Sequence, residues 1–267
     1  MRVLLVGCGQ MGGWFARRLA ARGHSLLLHD RTQEAASALS RELGCEAVGD
    51  AFEAARRADM VLLAVPVLEA KRLMRSLAKS DLGFGSLVDV SALKGPLVRA
   101  AELLRSRGVI VALAHPLFGP KTESTEGTFT AHVEPRDVDR EEELIRSLLP
   151  GTRLIRMNWR DHDKAVSVSV SLTHYIGLAL AETLSRSPAV LPTNSMRLAK
   201  GLAEVALSES GSFYDDLVMT SGSARAAFRR YIRACERVLK ASEGGRLGRF
   251  HGRLRGATRA RTPPDGT

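Results

Sequence analysis

The sequence predicts an α/β fold, a Rossmann-type doubly wound parallel sheet followed by an all-helical C-terminal domain. Three observations predict it. In the first half, short continuous apolar runs alternate with amphipathic helical segments, the pattern of parallel strands covered on both faces. The first run ends in Gly7-Cys8-Gly9-Gln10-Met11-Gly12, a glycine-rich turn that opens a helix. After about Trp159 strand signals fade, and helical spacing dominates to about Ser242.

Each element follows from its spacing. Val3–Val6 is the first strand, and Gln10 to Arg22 carries Met11, Phe15 and Leu19 on one helical face. Ser25–His29 reads as strand and Thr32 to Leu43 as helix. Met60–Val65 is an apolar strand stopped by Pro66. Glu69–Ala78 reads as helix, Leu87–Val90 as strand, Leu97–Arg107 as helix and Val109–Ala114 as strand. A late strand at Thr130–Val133, a helix near Arg140–Leu149 and a strand at Arg153–Met157 complete a domain spanning 1–158. In the next segment Val166 to Ser171 alternates like a strand, but Leu172, Tyr175, Ile176, Ala179, Leu180, Thr183 and Leu184 recur with helical spacing. The stretch is therefore read as helix. Helices at Ser195–Leu207 and Ala224–Ala241, with a shorter one near Tyr214–Met219, fill a helical domain over 159–243.

The chain has 267 residues, 45% hydrophobic and 25% charged, which excludes wholesale disorder. The three cysteines, Cys8, Cys45 and Cys235, have neither disulfide-framework nor metal-ligand spacing, so no metal site and a reducing, cytoplasmic setting are expected. Met1 runs straight into the first strand with no secretory pattern. Formal net charge is +10, much of it in Arg246, Arg249, Arg253, Arg255, Arg259 and Arg261. Residues 244–267 are read as a basic, disordered tail rather than a nucleic-acid arm. Without it the body is mildly basic, which suits an enzyme for anionic small molecules. The uncharged run Ala165–Ala181 is short for a membrane span and rich in serine, so a buried helix is expected there.

The glycine motif has the context that a dinucleotide site requires. Gly7 allows the tight turn, Gly9 lets backbone approach a pyrophosphate, and Gly12 lets helix and strand pack closely. Gln10 and Met11 begin the helix whose N-terminus would receive the phosphates. The second strand ends at Asp30, 18 positions after Gly12, where a carboxylate accepts ribose hydroxyls of NAD. Arg31 beside it keeps NADP as the alternative. Val65 and Pro66, at the end of the strand Met60–Val65, are candidates for the cofactor wall.

The chemistry-bearing segment is Ala114-His115-Pro116-Leu117-Phe118-Gly119-Pro120, at a strand's carboxyl end. Upstream lies Val88-Asp89-Val90-Ser91-Ala92-Leu93-Lys94-Gly95-Pro96. Downstream lie Asp161-His162-Asp163 and, twelve residues after His162, His174. Together with the glycine motif these resemble the prephenate/arogenate dehydrogenase family of tyrosine biosynthesis, over about residues 1–240. The resemblance implies an NAD-dependent oxidative decarboxylation of a cyclohexadienol, with His115 as base and Ser91 as its helper. The family's serine position holds Ala92 here, with Ser91 one residue earlier. His174, Lys94 and Lys121 are implied near the substrate, with Thr122, and Lys94 alternatively supports its loop. His162 is expected to order the junction between domains. The family's carboxylate-gripping arginine falls near Val205, and Arg197 and Lys200 stand one to two turns earlier as substitutes. A small-molecule substrate and a homodimer through the helical domain are further implications. The competing readings are arogenate as substrate, or another small Rossmann-plus-helical dehydrogenase such as an imine reductase or 3-hydroxyacid dehydrogenase.

Overall fold

A computed structural model describes residues 1–80, 83–187, 189–209, 211, 213–215 and 222–259. The chain divides into two compact units, one built on Met1–Val166 and one on Ser167–Ser208 with the C-terminal helices.

The first unit is an eight-stranded sheet in the order β3-β2-β1-β4-β5-β6-β7-β8. Its strands are β1 (Arg2–Val6), β2 (Ser25–His29), β3 (Glu46–Ala47), β4 (Met60–Leu63), β5 (Ser86–Asp89), β6 (Ile110–Pro116), β7 (Phe129–Val133) and β8 (Arg153–Met157). The first six are parallel, and the order reverses between β1 and β4. That switch point is where doubly wound sheets open a ligand crevice. β7 runs antiparallel to β6, and β8 runs parallel to β7. The sequence pattern did not distinguish this reversal. Its cause is the connection: only a loop joins β6 to β7, whereas a parallel return needs a crossover of a dozen or more residues, usually a helix.

Helices α1 (Gln10–Ala21), α2 (Gln33–Leu43), α3 (Ala51–Arg56), α4 (Val67–Leu77), α5 (Val98–Arg105), α6 (Val138–Leu148) and α7 (Trp159–Val166) accompany the sheet. β3 and α3 were not anticipated. α3 is short and is started by Asp50, whose carboxylate accepts the N–H groups of Phe52 and Glu53. A core cluster joins one face of the sheet to α1, α2 and α6 through buried residues such as Leu5, Phe15, Leu19, Leu28, Met60, Leu62 and Ile145. At about 25 cal/mol per Å² of apolar surface removed from water, each such side chain contributes on the order of 2 kcal/mol. On the far side Glu141, 1% exposed, accepts from His132 Nε2 (2.8 Å) and from Arg105, fastening β7 to α6.

The second unit is helical. It starts with a π-helical segment, Ser167–Leu172, followed by α8 (Thr173–Ser185), α9 (Asn194–Leu207), α10 (Gly222–Glu243) and α11 (Leu247–Arg259). The π turn coincides with the strand-like serine alternation, which explains why period alone was ambiguous there. α8 and α9 pack closely: a Cβ on Gly177 would meet the Leu202 carbonyl oxygen at 2.7 Å. The expected buried helix is corrected: Gly177 is the buried residue of α8, and Val168 is 50% exposed. The expected disordered tail is corrected as well. α11 forms because Leu247, Phe250 and Leu254 recur at helical spacing, a stripe that the arginines and glycines had masked. The part of that tail beyond 259, and most of the helix expected near Tyr214–Met219, lie outside the described residues.

Candidate active site

β1, β4, β5 and β6 are neighbours, and their carboxyl ends line up in register: Val6 pairs with Leu63, Leu63 with Asp89 and Asp89 with Leu113. Gly7, the Val65-Pro66 turn, Ser91 and His115 therefore follow one another along one sheet edge, with about 4.8 Å between adjacent strands.

The glycine motif divides into two roles. Gly7 has φ +99°, and a Cβ on it would lie 2.4 Å from the Ala64 carbonyl oxygen. A Cβ on Gly12 would lie 1.7 Å from the Gly7 carbonyl oxygen. Both glycines are demanded by the fold itself. Gly9 is different: it is exposed, and a Cβ there would meet no atom within 4 Å. It caps α1 with no side-chain hydrogen bond, and no acidic residue stands in the first turn. The positive end of the helix dipole thus faces an exposed glycine with no competing carboxylate, as a dinucleotide's phosphates require. Gln10 is exposed and Met11 half-buried beside this end. Asp30 accepts the Cys8 N–H on Oδ2 (2.7 Å) and the Thr32 N–H on Oδ1 (2.8 Å), which fixes the carboxylate at the end of β2. Each oxygen retains acceptor capacity for a ribose hydroxyl. Arg31 and Pro66 are exposed and Val65 half-buried. These residues fit a dinucleotide.

His115 lies within β6, which runs two residues past the strand end expected at Ala114, and stands opposite Ala131. It is 8% exposed. Its Nδ1 is 3.0 Å from His162 Nε2, and His162 Nδ1 is 2.8 Å from Asp163 Oδ1. Asp163 is held in turn by the N–H groups of Lys94 (3.0 Å, to Oδ1) and Gly95 (2.8 Å, to Oδ2). Gly95 permits that approach, since a Cβ on it would crowd Asp163 Oδ2 and the Trp159 ring at 2.8 Å.

This network fixes the tautomers. A carboxylate only accepts, so His162 Nδ1 carries the proton donated to Asp163. Where His162 Nε2 presents its lone pair, His115 Nδ1 is the donor to it. The remaining ring nitrogen, His115 Nε2, is left as an acceptor that no described residue engages. Burial pushes the His115 pKa well below 6.5, and the His162 ring and the Lys94 ammonium lower it further. The imidazole is therefore neutral at physiological pH.

His162 and Asp163 are the site residues that sequence reasoning undervalued. His162 bonds His115 and Asp163, both in its own unit. The adjacent His-Asp pair was the available signal, but 47 residues separate it from His115 and no local spacing connects them.

The other candidate residues differ in burial and in the partners they hold. Lys94 is 0% exposed, and its ammonium donates to Asp89 Oδ1 (2.5 Å) and the Asp89 carbonyl oxygen (3.2 Å). A side chain so enclosed supports its loop rather than gripping a ligand. Ser91 has one hydroxyl proton, and its Oγ lies 2.7 Å from Asp89 Oδ1 and 3.2 Å from the Leu93 carbonyl oxygen. That proton is held within the loop, and the Oγ lone pairs keep the capacity to accept a hydrogen bond. Lys121 is exposed, on the loop after β6, and Thr122 is half-buried there. In the helical unit, His174 Nδ1 bonds the Val170 carbonyl oxygen (2.9 Å). Arg197 and Lys200 are exposed on α9, Arg197 donating to Asn194 Oδ1 (2.8 Å), and Val205 is 52% exposed.

Among the described residues no cluster of histidine, cysteine, aspartate or glutamate could hold a metal ion.

Comparisons with known proteins bear on the fold and on the family resemblance. The family described as "NADP oxidoreductase coenzyme F420-dependent" matches residues 2–93. A "Probable arogenate/prephenate dehydrogenase" of Methanocaldococcus jannaschii is 25% identical over 88% of this chain and 55% of its own length. "Arogenate dehydrogenase 1, chloroplastic" of Arabidopsis thaliana is 25% identical over 96% of this chain and 41% of its own. The chain thus spans about half the length of these curated relatives. Among solved structures, prephenate dehydrogenase from A. aeolicus, in complex with hydroxyphenyl propionate and NAD+, superposes with a TM-score of 0.73 at 19% identity. That match covers 97% of this chain and 98% of the other. The resemblance carried by the HPLFGP segment is borne out by relatives of that name, and the α/β fold by this superposition.

Proposed function

From this likeness to the arogenate and prephenate dehydrogenases, we propose that the chain catalyses the oxidative decarboxylation of prephenate to 4-hydroxyphenylpyruvate with NAD. The observation that carries the reading is the Asp163–His162–His115 chain, which leaves one acceptor nitrogen at the sheet edge that also bears the glycine motif.

Bound NAD supplies a hydride acceptor. At the substrate, hydride leaves C4 of the ring while the C4 hydroxyl gives its proton to His115 Nε2. The bond from C1 to its carboxylate breaks, CO2 departs, and the electron pair left behind completes the aromatic ring. The phenolate oxygen then recovers the proton. His115 suits the base role because burial keeps it neutral, and the hydrogen bond from its Nδ1 aims the ring. His162 and Asp163 fix the tautomer and aim the His115 ring, the orienting part played by the second partner in acid–base triads on other folds.

Around α1, Gly7, Gly9, Gln10, Met11 and Gly12 hold the pyrophosphate, Asp30 the adenosine ribose, and Val65 with Pro66 the cofactor wall. Asp30 favours NAD, and Arg31 keeps NADP in play. On the substrate side Lys121 is the cation nearest in sequence to the HPLFGP turn. His174, Arg197 and Lys200 are the helical unit's candidates, and a homodimer through residues 159–243 completes the reading.

The test is a matrix of prephenate and arogenate against NAD and NADP, read as the appearance of reduced nicotinamide. Turnover is expected with prephenate and NAD. Arogenate as the better substrate would change the assignment within the reaction type. Silence with both, alongside turnover of an imine or a 3-hydroxyacid, would replace the reading altogether.

A further inference from the structure

The loop that follows β6, residues 117–123, carries the HPLFGP turn and Lys121, yet it is held from outside its own strand pair. The Trp14 indole N–H, on α1, donates to the Thr122 carbonyl oxygen at 2.8 Å across 108 residues of sequence. The Trp14 ring is 7% exposed and packs on Phe118 of the loop, with centroids 5.4 Å apart, and edge-on against Phe15 at 5.0 Å. One turn along α1, the Arg18 guanidinium lies 4.3 Å from the Trp14 ring centroid. Its Nη2 donates to the Thr122 carbonyl oxygen (3.0 Å) and to that of Glu123. Two consecutive loop carbonyls are thereby satisfied from one helix face. A loop carbonyl placed against a helix side loses water, and such directed donors replace it.

We propose that Trp14 and Arg18 are positioning residues that lock the substrate-side loop 117–123 to the dinucleotide-binding helix. α1 is capped by Gly9, the candidate anion site, and Trp14 stands little more than one turn further on. The same rigid rod that receives the cofactor's phosphates therefore sets the height of the loop beside His115. The stacked guanidinium is essential to the lock, because a planar fork can lie on an indole and still donate to carbonyls. An ammonium can donate but cannot stack in this way. The inference deepens the proposed reaction for its kinetic consequences, whereas the lock itself stands on the contacts alone.

The experiment uses the full chain and three variants, Trp14→Phe, Arg18→Lys and Arg18→Gln, in two measurements. Amide hydrogen exchange reads the lock directly. Arg18→Gln is expected to speed exchange of the 117–123 amides about tenfold or more, with β1, β6 and the α1 interior unchanged. Steady-state kinetics reads its purpose. KM for prephenate is expected to rise about tenfold in Arg18→Gln and Trp14→Phe while the NAD dissociation constant stays within about twofold. Arg18→Lys should recover part of the loss. Unchanged loop exchange in Arg18→Gln would overturn the lock. Released loop exchange with an unchanged prephenate KM would overturn its positioning role. If the wild-type chain turns over neither prephenate nor arogenate, the proposed reaction fails, and the exchange measurement still decides the lock.

Discussion

At the scale of single residues, the site is a question of where protons sit. His115 was legible in the sequence because His-Pro-Leu-Phe-Gly-Pro is compact and distinctive. Its supports were not, because hydrogen bonds from β6 to α7 leave no periodic trace in the sequence. The support makes a prediction that simple burial does not. Replacing His162 with Asn removes a group that holds the His115 pKa down, so the acid limb of kcat/KM should move to higher pH. Turnover should fall about 10- to 100-fold through loss of tautomer control, by analogy with ligand-orienting second partners. An unshifted limb in the pH profile would reduce His162 to packing. For the wild type, the acid limb should lie below pH 6.5, the ordinary histidine value. Stability follows the same sign. The unfolded chain binds a proton on this histidine that the native chain resists. The contribution is complete above about pH 6.5 and fades as pH falls toward the lowered native pKa. Urea unfolding across that range measures it.

At the scale of elements, the glycine motif separates two demands that look alike in sequence. Gly12 is required by the protein, since a methyl group would overlap the Gly7 carbonyl. Gly9 is not, since a methyl group there projects into open space. Gly12→Ala should therefore lower the melting temperature and abolish NAD binding together. Gly9→Ala should leave the melting temperature within a few degrees while weakening NAD about tenfold or more. Thermal melts with and without NAD separate the two. If Gly9→Ala binds NAD normally, the α1 N-terminus is not the phosphate site. The strand and helix succession through β6 was readable because apolar runs and amphipathic helices alternate cleanly. The reversal of β7 and β8 was not, since direction is set by whether a connection carries a crossover helix. The π-helical turn at Ser167–Leu172 also escaped, because alternating Val and Ser satisfy a strand period as well as a widened helical one.

At the scale of the molecule, the helical unit leaves much apolar surface open. Trp159–Ser185 is long and apolar enough to cross a membrane, and only 22% of its most apolar window is buried within the chain. Leu198 is 77% and Leu207 64% exposed on α9. Patches of this kind mark partner surfaces. A second copy of the chain is the expected cover, and light scattering should return twice the chain mass. Val168→Lys, at a half-exposed position in the π turn, should shift that mass toward the monomer; a monomeric wild type would refute the expectation. The all-helical character was legible from composition, but its degree of exposure was not, because a sequence does not reveal which apolar faces a single chain can cover.

The central claim is that His115 Nε2 receives the substrate's proton during hydride transfer. Rapid mixing of His115→Asn with prephenate and NAD, alongside an NAD binding titration on the same preparation, tests it most directly. The account predicts a hydride-transfer rate lower by about 10² to 10⁴ with NAD affinity retained. A rate close to wild type with the cofactor normally bound would contradict it.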